Sequence, residues 1–166
     1  MAALAAGTKA PEFTLPAING SQQSLRDLLE RGPVVAFFFK ISCPVCQYAA
    51  PFIERIFKAH GDQHVSIVGI SQNNQKDTAR FIKEYGLTFP VLLDDTDSFP
   101  VSNAYGLTNV PSIFWIAQNG PIEISSVGWS RQDIEEINRH ISSLANMPSI
   151  SPVFQPGEQI ADFRAG

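Results

Sequence analysis

The chain has 166 residues, the length of one ordinary domain, enough to bury a core without metal or disulfide staples. Hydrophobic residues make up 44% and charged residues 17%, which excludes a disordered chain, and a formal net charge of −4 is a poor match for a nucleic-acid binder, which needs a basic face. The longest apolar run, Val34 to Phe39, is far short of the roughly 20 residues that cross a bilayer as a helix.

Residues 7–20 hold Pro11, Pro16, Asn19 and Gly20 around Phe13 and Leu15, and read as an extended strand or small hairpin. Ser24 caps a short helix, Leu25 to Arg31, ended by Gly32-Pro33. Val34 to Phe39 has no alternation and suits a central strand covered on both faces. Cys43-Pro44-Val45-Cys46 comes directly after it. A helical stripe of Ala49, Phe52, Ile53, Ile56 and Phe57 follows, stopped by Gly61.

Val65 to Ile70 is a second core strand, and Lys76 to Tyr85 a helix ended by Gly86. Phe89 to Leu93 is a short apolar segment, and Phe99 to Tyr105 a brief helix stopped by Gly106. Ser112 to Ile116 and Ile122 to Val127 are strands joined through Asn119-Gly120, a strong turn signal. Ser130 caps a last helix, with Ile134, Ile137 and Ile141 facing inward. This order predicts an α/β fold with one mixed sheet and helices on both faces. Residues 1–146 form the domain and 147–166 an extended tail, whose Pro148, Pro152 and Pro156 forbid a helix. The stretch Gly157 to Phe163 is similar to Gly7 to Phe13; chance accounts for that, the alternative being that both lie extended in similar grooves beside the sheet.

The cysteines are the only two in the chain. A sulfur at a helix N-terminus faces unpaired N–H groups and the positive end of the helix dipole, which favour thiolate over thiol. Thiols so placed reach a pKa of roughly 3.5–7.5. Pro44 fits the first turn, where its missing N–H is no loss. Three residues of spacing bring Cys46 about one turn along, with Cys43 the exposed sulfur and Cys46 the shielded one. Lys40 adds positive potential to the pair, or is a solvated surface lysine.

Other readings compete. Two buried structural cysteines are one. Zinc is another, because Cys43, Cys46, His60 and His64 match Cys2His2 spacing. A continuous helix, however, would put His60 about 21 Å from Cys46, at ~1.5 Å per residue. Hydrolysis lacks a Gly-x-Ser-x-Gly elbow, and no phosphate-binding glycine loop is present.

The chain resembles the redoxin branch of the thioredoxin fold, the TlpA-like and AhpC/TSA-related thiol-disulfide oxidoreductases. The resemblance runs over roughly residues 7–146. Its pieces are Gly7-x-x-Ala10-Pro11-x-Phe13-x-Leu15, the strand and CxxC at 34–46, and Gly69-Ile70-Ser71. Further pieces are Phe81-x-x-x-Tyr85-Gly86-Leu87-x-Phe89-Pro90 and Tyr105-Gly106-Leu107-x-x-Val110-Pro111-Ser112-x-Phe114. The resemblance implies a thioredoxin-like three-layer fold and a cis Val110–Pro111 bond facing the cysteines. It also implies that the backbone of Val110 pairs with a bound peptide, so that Pro111, Val110, Pro44 and Val45 shape the substrate groove. Trp129 resembles a family position near the site, where packing is its expected role.

The departures are specific. Ser42 stands where the family has Trp before the first cysteine. Phe37 occupies the place of thioredoxin's buried Asp, and Ala49 that of the Glu found in some TlpA-like members. No carboxylate base for Cys46 is therefore named. Against peroxiredoxins, Phe39 and Cys43 replace the Pro and Thr of Pro-x-x-x-Thr-x-x-Cys.

The expectation is disulfide exchange at Cys43 and Cys46 with protein or small-thiol substrates and a thiol reductant. A thiol-dependent peroxidase and a non-catalytic binding module are the alternatives. No cofactor, metal, nucleic-acid partner or membrane span is expected, and the protein is a monomer or weak homodimer. Its start has no basic residue and about six apolar ones, short of the roughly 7–15 of a secretory core. That reads as cytoplasmic; a trimmed leader ending near Ala3-Leu4-Ala5 makes the periplasmic or exported alternative.

Overall fold

The run Val34 to Phe39 forms a strand whose alternate side chains enter two separate cores. Val35, Phe37 and Phe39 belong to one buried cluster, and Val34, Ala36 and Phe38 to the other. A strand with no polar face can only sit between two packed layers. The computed structural model describes residues 2–146 and 151–166; Met147 to Ile150, including Pro148 of the expected tail, lie outside the described residues.

A hairpin opens the chain, β1 (Thr14–Pro16) antiparallel to β2 (Gln22–Ser24). Next come α1 (Leu25–Glu30), β3 (Val34–Phe39), α2 (Pro44–His60), β4 (Ser66–Ser71) and α3 (Gln75–Tyr85). Then follow β5 (Val91–Leu93), α4 (Pro100–Ala104), β6 (Ser112–Ile116), β7 (Ile122–Val127), β8 (Trp129–Ser130), α5 (Arg131–Leu144) and β9 (Phe163–Arg164). The central sheet has the order β5-β4-β3-β6-β7. β3, β4 and β5 are parallel, while β6 and β7 run antiparallel to their neighbours.

Helices α2, α3 and α5 supply one core, through Phe52, Ile53, Ile56, Phe81, Ile134, Ile137 and Ile141. The hairpin, α1 and α4 supply the other, through Leu15, Leu25, Leu28 and Val101. This is the expected three-layer thioredoxin-like α/β fold. The caps Ser24 and Ser130 are where the sequence put them, and Asn74 is a third that it did not indicate; each side chain accepts a backbone N–H at the third helical position.

Three details differ from the sequence reading. The hairpin extends to Ser24, so that residue both closes β2 and caps α1. The apolar segment Phe89–Leu93 is a strand only from Val91: Pro90, which has no N–H to donate, precedes β5. The tail is more closely engaged than an extended appendage. Val153 is buried, Phe154 packs edge-on to Phe52 with ring centres 5.4 Å apart, and Phe163–Arg164 pairs with Trp129–Ser130 as β8·β9. Lys9 bridges Pro121, just before β7, and Arg164 pairs with Trp129, just after it.

Candidate functional site

The site is built where β3 ends. Its last residue hands the chain to a short loop, Lys40 to Ser42, pinned from both sides. Ile41 donates its N–H to Asn73 Oδ1 at 2.9 Å, and its carbonyl accepts from Gln47 Nε2 at 2.8 Å. Cys43 then takes an extended conformation as the N-cap of α2, and Pro44 occupies the first turn. The Cys43 sulfur accepts the backbone N–H of Cys46 at 3.1 Å. That bond uses one of the four otherwise unpaired N–H groups at the helix start, and an anionic sulfur accepts it more strongly than a neutral one.

Across the cleft stands the loop before β6. The Val110–Pro111 bond is cis. The Cys43 thiol donates to the Val110 carbonyl at 3.4 Å. The loop is held by Ser112 Oγ on the Asn109 carbonyl at 2.8 Å, and by Gly128 N–H on the Pro111 carbonyl at 2.8 Å. Cys43 is half-buried and Cys46 is fully buried beneath it; both are free thiols. Val45 and Val110 pack with Cys43 against the core, while Pro44 is exposed.

Burial pushes the Cys46 thiol well above its ordinary value, and the adjacent Cys43 sulfur adds to the rise. Neither place where the family resemblance puts a proton-accepting acid holds one: Phe37 and Ala49 are fully buried apolar residues. The one buried glutamate of α2, Glu54, lies two turns farther on and accepts the Thr88 N–H at 2.6 Å. Lys40 is exposed, with its ammonium 6.0 Å from the Phe99 ring centre. His60 ends α2 at the opposite pole from Cys46 and hydrogen-bonds Asn138 Oδ1 at 2.9 Å, while His64 is exposed.

The tail approaches the same cleft, which the sequence did not indicate. Trp129 is fully buried, its ring centre 5.0 Å from that of Tyr48, and its indole N–H donates to the Ala161 carbonyl at 2.6 Å. Asn109 and Gly166, hydrogen-bonded to each other at 3.0 Å, lie at the Val110 carbonyl, and Trp129 takes the packing role expected of it.

These features together place a half-exposed sulfur on a helix start, a buried sulfur one turn behind and a proline loop opposite. The family model described as AhpC/TSA matches residues 6–125. The chain belongs to the AhpC/TSA family. Thiol-disulfide oxidoreductase ResA of Geobacillus thermodenitrificans is 30% identical over 143 residues, 86% of this chain and 79% of the relative. Two solved structures share the redoxin fold. The thioredoxin domain of a thiol-disulfide oxidoreductase from Bacteroides vulgatus superposes with a TM-score of 0.74 at 23% identity, over 83% of this chain and 99% of that one. Peroxidoxin BcpB from Mycobacterium tuberculosis superposes with a TM-score of 0.69 at 22% identity, over 90% and 100%. At those identities the likeness is one of fold.

Proposed function

We propose that this protein is a thiol-disulfide oxidoreductase whose Cys43–Cys46 pair exchanges with protein or small-molecule disulfides. The observation that carries this is the Cys43 sulfur, half-exposed on the start of α2 with the Cys46 N–H at 3.1 Å. The Cys43 thiolate attacks one sulfur of a substrate disulfide, forming a mixed disulfide and releasing the other substrate sulfur as a thiolate. Cys46, losing its proton to solvent, then attacks the Cys43 sulfur. The substrate's second sulfur leaves as thiolate, and Cys43–Cys46 is oxidised by the two electrons the substrate gained. An external dithiol resets the pair, and the same steps in reverse oxidise a substrate. Val110 and Pro111 border the groove on one side and Pro44 and Val45 on the other.

The test is a pair of single substitutions. Cys43→Ser should abolish reduction of insulin disulfides, whereas Cys46→Ser should accumulate a mixed disulfide visible by mass. Turnover retained in the Cys43→Ser variant would overturn the assignment.

The peroxidase alternative, aligned on the peroxiredoxin signature, makes Cys46 the peroxide-attacking sulfur. Its complete burial and raised thiol argue against that role. Among the described residues no helix is long and apolar enough to cross a membrane. Trapping the redox state of the pair in intact cells separates the cytoplasmic reading from the exported one, and sedimentation separates monomer from weak homodimer. Residues 1–146 are proposed as the redoxin domain and 147–166 as its C-terminal tail, the described part of which docks on that domain.

A further inference from the structure

The described tail does not leave the molecule; it crosses the site. Val153 and Phe154 anchor it on the core beside Trp129. Glu158 then grips Arg55 through two parallel bonds of 2.7 and 2.8 Å. Ala161 accepts the Trp129 indole N–H and donates its own N–H to the Tyr48 hydroxyl at 3.1 Å. The Asp162 carbonyl accepts the Arg131 N–H at 2.9 Å, and Phe163–Arg164 adds as a strand to Trp129–Ser130. The Arg164 guanidinium lies 4.0 Å over the Tyr48 ring.

The last step reaches the chemistry. The Gly166 carbonyl accepts from Asn109 Nδ2 at 3.0 Å. A Cβ added to Gly166 would collide with the Val110 carbonyl oxygen and stand 2.9 Å from its carbon. This is the same carbonyl that the Cys43 thiol contacts. The close fit extends to Gly128, where an added Cβ would collide with the Arg164 carbonyl oxygen. Backbone thus lies on backbone with no room for a side chain. Yet every side chain from Asp162 to Gly166 is exposed, with Phe163 at 63%. The terminal strand is held by edge pairing and a few polar contacts, whereas its anchor has Val153 buried and Phe154 packed on Phe52; segments held in that way open locally before the core does.

We propose that residues 163–166 are an intramolecular pseudo-substrate, lying where the extended chain of a protein disulfide must run to bring its sulfur to Cys43. The segment excludes polypeptide and admits small disulfides. A protein substrate displaces it by taking over the β8 edge, and must carry a residue with little or no side chain over the Val110 carbonyl. β-strand addition of this kind draws affinity from main-chain hydrogen bonds. The proposal rests on Cys43 being the attacking sulfur, but its test is separable from that reading.

The experiment compares the full chain with a variant lacking residues 163–166 and with Gly166→Ala. Both variants keep Val153, Phe154 and Ala161 in place, and an unchanged melting temperature confirms the fold. Cys43 is alkylated with iodoacetamide and, in parallel, with a polyethylene-glycol maleimide, a readout that requires no enzymatic turnover. The bulky reagent should react roughly 5-fold faster in both variants, the factor expected if the groove is open in about one molecule in five, with the small reagent unchanged. The apparent KM for insulin should fall by a similar factor, with turnover of a small aromatic disulfide unaltered. A peptide matching residues 161–166 should inhibit the shortened variant competitively against insulin. Equal bulky-reagent rates in all three proteins would overturn the pseudo-substrate. Altered labelling with no disulfide turnover in any of them would instead leave the strap standing and remove the exchange activity.

Discussion

Cys43 and Val110, 67 residues apart in the chain, meet across the cleft through a thiol-to-carbonyl hydrogen bond of 3.4 Å. Ionising Cys43 removes that donor and leaves the Val110 carbonyl free for another partner, while the sulfur keeps the Cys46 N–H. The position of Val110 is set by Ser112, a fully buried hydroxyl that donates to the Asn109 carbonyl. Ser112→Ala should therefore lower stability by about 0.5–1.5 kcal/mol, the net worth of a hydrogen bond whose acceptor sits on an exposed residue and can turn to water. It should also raise KM for a protein disulfide more than it lowers kcat. Unchanged kinetics in a destabilised variant would show that Ser112 serves the fold alone.

Cys46 predicts the alkaline behaviour. Its folded-state pKa lies above the ordinary 9.0 because burial disfavours the charge. The folded protein then keeps a proton that the unfolded chain releases above about pH 9. The stability this contributes is complete below that pH and falls as the pH rises. Tyr105, raised from 10.0 by burial and by Glu12, acts in the same direction. The urea midpoint should thus drop between pH 8 and 11, and less steeply in Cys46→Ala. Kinetically, release of substrate from the mixed disulfide needs the Cys46 thiolate, so its rate should climb about tenfold per pH unit through neutrality. A pH-independent release rate would mean that a protein group takes the Cys46 proton.

Much of this was legible because it is local. The all-apolar run 34–39, the Cys43–Pro44 helix start and the caps Ser24 and Ser130 each state their structure within a few residues. Matched motifs brought Val110 to Cys43, which spacing alone does not. The tail was illegible for a physical reason. Trp129–Ser130 and Phe163–Arg164 pair over only two residues each, too few for a period-2 signal. Their register is set by the Trp129–Ala161 and Arg55–Glu158 contacts, which join distant parts of the chain. Lys40, three residues before Cys43, invites an electrostatic role by position alone; its ammonium lies 6.0 Å from the Phe99 ring centre.

Glu158 gives an acid counterpart. The Arg55 guanidinium and the Gln155 N–H hold its carboxyl down at about 2, below the ordinary 4.5. A depressed carboxyl keeps its ion pair above the unfolded value and loses it as pH falls through the folded one. The contact should therefore persist at pH 4.5 and weaken towards pH 2. Pepsin should cut between Gln155 and Gly166 faster as the pH drops from 4 to 2, relative to an unstructured peptide digested alongside. Arg55→Met should already cut fast at pH 4. Identical cleavage of both proteins at every pH would show that Arg55 and Glu158 do not hold the strand down.

Peroxide discriminates between the chemistries that the AhpC/TSA family spans. Attack on a peroxide oxygen requires a thiolate in an open pocket and leaves a sulfenic acid on that sulfur. Cys46 offers neither access nor ionisation, since it is fully buried with a raised thiol. Cys43 is accessible, but the residue one turn behind it is a second sulfur poised to close a disulfide. With hydrogen peroxide, any oxidation should therefore begin at Cys43 and end as Cys43–Cys46. In Cys46→Ser, dimedone should label Cys43, and in Cys43→Ser it should label nothing. Peroxide consumption with dithiothreitol should be slow beside insulin reduction by the same preparation. Rapid consumption sustained by Cys43→Ser would make Cys46 the peroxidatic sulfur and reverse the roles assigned to the pair.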